Sequence, residues 1–363
     1  MKTLILGDLS PTDTTNPMFK KQDITGLFYD VVSLFDGNDI NFVNLECALT
    51  DHDKSIEKFG PPLKACKEVA DVLKSIGVTV CGLSNNHIFD YGIKGALDTM
   101  KELDRCNIPY TGFGKNYEDS RKNWYFEKDG EKIAIIAVCE HEFSYALENR
   151  MGSRPWDEFE TLDDIREAKK EADRVIVIYH GGKELCGYPS PRLRKACRAM
   201  VKNGADLVVC QHSHCIGSYE EFEGSHILYG QGNFHFIKPS FVNFPDIWYS
   251  CLALKYDTKT NEVEFIPVSN FKDGIAIAKG EEKDKLLAEF EKRNSDLQNG
   301  EWLNKWRELC LSMKENYITK AKCAQDLTME EIAASWFAHY LDCEAHMDVW
   351  KELFKTANHR NEM

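Results

Sequence analysis

The chain has 363 residues, of which 43% are hydrophobic and 29% charged, with a formal net charge of −14. That is enough apolar material for one large domain or two ordinary ones, and it excludes a peptide, a disordered chain or a disulfide-framed mini-fold. The acidic balance disfavours nonspecific binding to nucleic acid or to an anionic membrane, so an anionic substrate has to be held by a local cation or metal site.

The N-terminal apolar run carries one basic residue, Lys2, and stops at Leu6 before Gly7 and Asp8; it predicts a first strand at Thr3–Gly7 and not a signal peptide. No apolar stretch reaches the roughly 18–20 residues of a bilayer span. The 13 cysteines are odd in number, contain no CxxC pair and sit in apolar runs such as Val80-Cys81 and Val138-Cys139. Buried thiols in a reducing compartment fit that distribution, and the expected location is cytoplasmic.

Up to about residue 270, short β-branched runs alternate with amphipathic stretches. The predicted strands after the first are Ile40–Leu45, Val78–Leu83, Lys132–Val138, Arg174–Tyr179, Asp206–Cys210 and His226–Gly230. The predicted helices are Ala65–Ile76, Ile93–Cys106, Thr161–Ala172 and Pro191–Asn203. This alternation implies an α/β fold with largely parallel sheets buried under helices. Ser250–Tyr256 and Glu262–Val268 flank the polar segment Asp257–Asn261 and read as an antiparallel hairpin, so the sheet is not purely parallel.

After Pro267 there is no proline and after Gly300 no glycine, and the pattern becomes helical, with Thr328 and Glu331 as a capping box before Trp336, Phe337 and Tyr340. The expected division is an α/β domain over residues 1–280 and a helical extension over residues 281–363 packed on it. The histidines of that extension, His339, His346 and His359, lack strand-end context and are expected to supply no ligands.

In an open α/β protein, ligands gather at the carboxyl ends of strands. Here those ends read Gly7-Asp8, Asn44-Leu45-Glu46, Ser84-Asn85-Asn86-His87, His180-Gly181-Gly182 and Gln211-His212-Ser213-His214. Taken singly, each has an ordinary explanation: Asp8 as a turn former, the asparagines as turn residues, His180 as a hydrogen-bonded imidazole. In His212-x-His214, alternate residues of an extended segment would point the same way and suit two ligands. Together, the mixed carboxylate, amide and imidazole donors suit a pair of borderline divalent metals, Mn, Zn or Fe, that activates water and clamps the reacting oxygens. An unligated histidine nearby, His87, fits the role of proton donor. Glu140-His141-Glu142 should reach the same edge, either as a solvated turn or facing substrate. Lys183, Arg192 and Arg194 lie beside His180 and are the candidate anion holders, against the alternative of a solvated helix face.

These motifs resemble the capsule-synthesis CapA family, associated with poly-γ-glutamate production, within the calcineurin-like metallophosphoesterase superfamily. The resemblance rests on Ile5-Leu6-Gly7-Asp8, Asn44-Leu45-Glu46, the block from Gly77 to Gly92 around Asn85-Asn86-His87, and Ile108-Pro109-Tyr110-Thr111-Gly112. His180-Gly181-Gly182-Lys183-Glu184, Gly204-Ala205-Asp206-Leu207-Val208, Gln211-His212-Ser213-His214 and Gly232-Asn233-Phe234 extend it to about residue 236.

The resemblance implies a four-layer α/β/β/α sandwich carrying two divalent metal ions. Asp8 and His214 would serve the first metal, Glu46 would bridge, and Asn86, His180 and His212 would serve the second, with His87 as general acid. Ser10 stands where the superfamily's first motif has a histidine, which leaves the first metal position one ligand short. Gly181 stands where relatives carry tryptophan. The expected activity is hydrolysis of a phosphoester, or of an amide-like bond in an anionic polymer of capsule or poly-γ-glutamate metabolism. The alternative is a non-catalytic capsule-assembly or partner-binding protein that retains the fold.

Overall fold

The computed structural model describes residues 1–237, 242–325 and 331–355, with the backbone alone for 323–325 and 331–336. The strands form two main sheets. In the first, Gly274–Ile277, Glu262–Phe271, Ser250–Asp257, Lys2–Leu9, Ile40–Leu45, Val80–Gly82 and Tyr110–Thr111 lie side by side, and Asn233–His235 pairs with the end of Lys2–Leu9. The second runs Tyr219–Phe222, Ser225–Leu228, Leu207–Gln211, Arg174–His180, Glu131–Cys139 and Trp124–Lys128. The first is antiparallel on the Ser250–Asp257 side and parallel from Lys2–Leu9 to Tyr110–Thr111, and the second has a parallel centre with antiparallel flanks.

Period-two alternation decides how the sheets stack. Ile5 faces the space between the sheets, where it joins Phe42, Val80, Ile133, Ile135, Ala137, Ile176 and Ile178. Its neighbours Leu4 and Leu6 face outward onto Val69–Ser75 and Gly92–Arg105, which contribute Val72, Leu73, Ala96 and Leu103. In the second sheet Ala134, Ile136 and Val138 face outward onto Ile165 and Ala168 of Glu160–Glu171 and onto Leu193, Cys197 and Met200 of Pro191–Lys202. With both faces of each sheet apolar, the strands read as nearly continuous hydrophobic runs. The result is a four-layer α/β/β/α sandwich.

The hairpin is present, as Ser250–Asp257 paired antiparallel with Glu262–Phe271. The helix expected over Ala65–Ile76 begins only at Val69, because Lys64–Ala65 pairs with Ala48–Leu49 and the Cys66 N–H donates to Oδ1 of Asn16. Competing partners for the backbone override the helical periodicity there. The strands Trp124–Lys128 and Tyr219–Phe222 escape the sequence pattern because they are half-exposed edges.

Helices at Gly280–Asn299, Trp302–Ser312, Lys314–Gln325, Glu331–Asp342 and Glu344–Leu353 follow. Phe290 enters the inter-sheet core, Leu297 and Trp302 cover the second outer layer, and Trp306, Cys310, Tyr317, Tyr340 and Val349 cluster with Cys186 and Phe59 of the body. Thr328 lies outside the described residues, as does His359. Among the described residues no helix is long and apolar enough to cross a membrane.

Candidate metal centre

Asp8 closes the first strand at a bulge, where the register against Ile40–Leu45 shifts between Leu6 and Asp8. A bulge of this kind re-aims one side chain. Gly7 makes the approach possible: a Cβ there would lie 2.1 Å from the carbonyl oxygen of Gly232. Asp8 is fully buried; its Oδ1 accepts from Nδ2 of Asn44 at 2.7 Å and its Oδ2 from the N–H of His212 at 3.0 Å. Burial first, and then the neighbouring Glu46 charge, push its carboxyl up to about 6.

Glu46 follows the second strand and is also fully buried, yet neither of its carboxylate oxygens has a hydrogen-bond partner among the described residues. Nε2 of His180 stands 3.2 Å from Glu46 Oε1, and Nδ1 of His180 3.6 Å from Asp8 Oδ1. Nδ1 of His214 stands 3.6 Å from Asp8 Oδ2 and 2.9 Å from Oδ1 of Asn233. Donor atoms of Asp8, Glu46 and His180 lie within 4.8 Å of one another, and so do those of Glu46, His212 and His214. Glu46 is common to both groups. An unsatisfied carboxylate shared by two such sets is costly to bury unless a cation occupies it, and the donors are of the kind that divalent metal ions take.

His180 and His214 stand equally close to Asp8, at 3.6 Å each, while His212 groups with Glu46 and His214. Oδ1 of Asn86 is 2.8 Å from Nε2 of His180, which puts the amide at the same centre. His212 and His214 do not come from an extended segment. The strand ends at Gln211, and both histidines are left-handed, with φ of 79° and 53°, so a strained turn and not strand alternation brings their rings to 5.5 Å.

His87 lies beside the centre. Its Nδ1 is 2.6 Å from Oδ2 of Asp90 and 3.1 Å from Nζ of Lys58, and Lys58 pairs with Oδ1 of Asp90 at 2.6 Å. Burial and then the Lys58 charge lower the His87 pKa from 6.5. Asn85 holds the loop, accepting from the N–H groups of His87 and Ile88 at 3.1 and 2.9 Å.

A cavity of about 350 Å³ opens onto this cluster and is lined by Asn86, His87, His141, Lys183, His212 and His214. Asp8, Glu46 and His180 are fully buried and do not line it. Arg192 and Arg194 are absent from its lining. Arg192 pairs with Glu140 and with Asp348, the latter at 2.9 Å, and Arg194 pairs with Glu220 at 3.0 Å. Both arginines are therefore engaged by carboxylates of this chain. Glu140 is fully buried, holding Arg192, the Tyr179 hydroxyl and the Gly182 N–H, so the Glu140-His141-Glu142 segment is not a solvated turn. Gly181 is tied to the same carboxylate: a Cβ there would lie 2.6 Å from the Glu140 side chain.

The C-terminal helices reach the site. His339, Cys343 and His346 line the same cavity, because the helices fold back over the strand ends. Lys58, Asn44 and Asn233 also belong to the site without having been expected there. Asn44 and Asn233 stand inside quoted motifs and could have been found from them; Lys58 stands in an irregular loop with no periodic signal.

Among families, the one described as "Bacterial capsule synthesis protein PGA_cap" matches residues 2–238. The "PGA biosynthesis protein CapA" of Bacillus subtilis (strain 168) is 32% identical over 241 residues, covering 64% of this chain and 62% of that protein. The "Capsule biosynthesis protein CapA" of Bacillus anthracis is 34% identical over 180 residues, 48% of this chain and 44% of that one. The matches thus span less than two thirds of either relative. A hypothetical protein from Thermus thermophilus superposes with a TM-score of 0.48 at 17% identity, over 75% of this chain and 100% of that one.

Proposed function

This chain belongs to the PGA_cap family of bacterial capsule synthesis proteins, and from that premise we propose that it is a dinuclear-metal-dependent hydrolase of phosphoesterase type, serving capsule or poly-γ-glutamate metabolism. The observation that carries the reading is Glu46: a fully buried carboxylate with two unsatisfied oxygens, shared between two groups of imidazole and carboxylate donors.

Asp8, Glu46 and His180, with Asn86, would hold one ion, and Glu46, His212 and His214 the other. Two such ions, when bound, supply Lewis acidity and a water nucleophile at neutral pH. The protein's own groups do the rest. Asn44 fixes the Asp8 carboxylate, and Asn233 fixes the ring of His214. Nδ1 of His87 is engaged by Asp90, which leaves Nε2 as the atom that exchanges a proton with the reacting groups in the cavity. Lys183, which lines the cavity, offers a local cation to an anionic substrate in a chain of net −14.

The experiment is elemental analysis of protein purified without chelators, joined to a screen of phosphomonoesters, phosphodiesters, nucleotides and γ-glutamyl peptides with added Mn²⁺ or Zn²⁺. Turnover that needs metal and is lost in Glu46→Ala supports the reading. A protein that binds two ions and hydrolyses none of these classes is the non-catalytic capsule-assembly or partner-binding protein, a reading favoured by Ser10, a hydroxyl where the superfamily motif has an imidazole.

A further inference from the structure

Beside the Asp8 and Glu46 centre lies a second group of donors that uses neither carboxylate. His141 comes from the turn after Glu131–Cys139, His339 from the helix Glu331–Asp342, and Cys343 from the N-cap of Glu344–Leu353. One donor atom from each lies within 4.8 Å of the others, and all three side chains are buried. Two of the three stand beyond residue 238, outside the family match.

Three features separate this cluster from an ordinary packed interface. First, Nδ1 of His141 is buried without a hydrogen-bond partner among the described residues, while its Nε2 stands 3.8 Å from Sγ of Cys343. Second, Nδ1 of His339 is 3.0 Å from each carboxylate oxygen of Glu142, which fixes the ring and leaves Nε2 for the cluster. A carboxylate gripping the far nitrogen of an imidazole is the arrangement that orients metal-binding histidines. Third, Phe59 stacks on His339 with ring centroids 4.9 Å apart, holding the ring in place.

We propose that His141, His339 and Cys343 bind a zinc ion, separate from the two ions of the Asp8 and Glu46 centre, with its fourth position open to the cavity. Two imidazoles and a thiolate are donors of the kind zinc takes, and three protein ligands leave it one open position. Tetrahedral zinc would place such donors about 3.4–3.6 Å apart, so only a small closure of the observed group is needed. Cys343 loses its proton to solvent as the Zn–S bond forms. All three ligands line the cavity, so the open position faces the same space as the first centre. The ion would also clasp the C-terminal helices onto the turn that carries His141. The inference does not depend on hydrolysis at the first centre.

Sulfur distinguishes the two sites, since the first centre offers only nitrogen and oxygen. X-ray absorption on the full-length zinc protein should show a Zn–S shell at about 2.3 Å. The Co²⁺-loaded protein should show a near-ultraviolet thiolate-to-metal charge-transfer band that survives in Glu46→Ala and disappears in Cys343→Ser and His339→Ala. Zinc content should fall by one ion per chain in Cys343→Ser. Coordination by nitrogen and oxygen alone in the wild-type protein, or a charge-transfer band that persists in Cys343→Ser, would overturn the proposal. The wild-type spectrum decides the matter if either variant fails to fold.

Discussion

Nε2 of His180 lies 3.2 Å from Oε1 of Glu46, and neither side chain reaches solvent. Burial drives the two groups toward neutrality from opposite sides: the imidazole is pushed down to about 4 and the carboxyl is pushed up. Without a cation the pair is a liability, and with one it is a ligand set. Glu46→Gln is therefore expected to raise the melting temperature of metal-free protein while abolishing the stabilisation that Mn²⁺, which has little preference for thiolate sites, gives the wild type. That stabilisation is about 2.7 kcal/mol at a free metal concentration a hundred times Kd. Thermal melts with and without metal read both effects; a Glu46→Gln protein that keeps the metal-dependent shift would remove Glu46 from the centre.

His87 touches the cavity but belongs to neither donor group. His87→Ala should keep the wild-type metal content and lower kcat by about 10²–10⁴-fold, the usual contribution of a placed acid or base. Metal analysis alongside kinetics tests both halves, and loss of an ion in the variant would make His87 a ligand instead.

Arg192 bridges the body and the last described helix through Glu140 and Asp348. Arg192→Ala leaves the fully buried Glu140 short of its cation, and removing one partner of a buried pair costs about 3–5 kcal/mol. The expected result is a lower urea midpoint with KM unchanged. A raised KM with unaltered stability would return Arg192 to the role of anion holder.

Glu220 contributes to the pH dependence of the fold. Burial raises its carboxyl, but Arg198, Arg194 and the Tyr229 hydroxyl outweigh that and hold it at about 2. A carboxylate with a depressed folded-state pKa contributes stability above its unfolded value, and that contribution fades as pH falls from about 4.3 toward 2. Urea midpoints measured down this range should fall more steeply for wild type than for Glu220→Gln. Parallel slopes would mean that the Arg194 and Arg198 contacts contribute nothing to stability.

Local pattern along the chain dictates the layers and most of the candidate site. Runs such as Ile133 to Val138 are apolar on both faces, which forces a strand to lie between two packed layers. Asp8, Glu46, Asn86, His180 and His212 are legible because parallel strands deliver their carboxyl ends to one edge, so position after a strand already predicts proximity. Contacts across long separations emerge only on folding. Arg192 reads as a free cation until Asp348, 156 residues away, is folded onto it. His339 and Cys343 read as residues of an outer helix until that helix turns back over the strand ends to meet His141. The direction of that return depends on how Trp306, Tyr317 and Tyr340 pack against Cys186 and Phe59. Helix periodicity fixes which face of a helix is apolar but not which surface that face will cover.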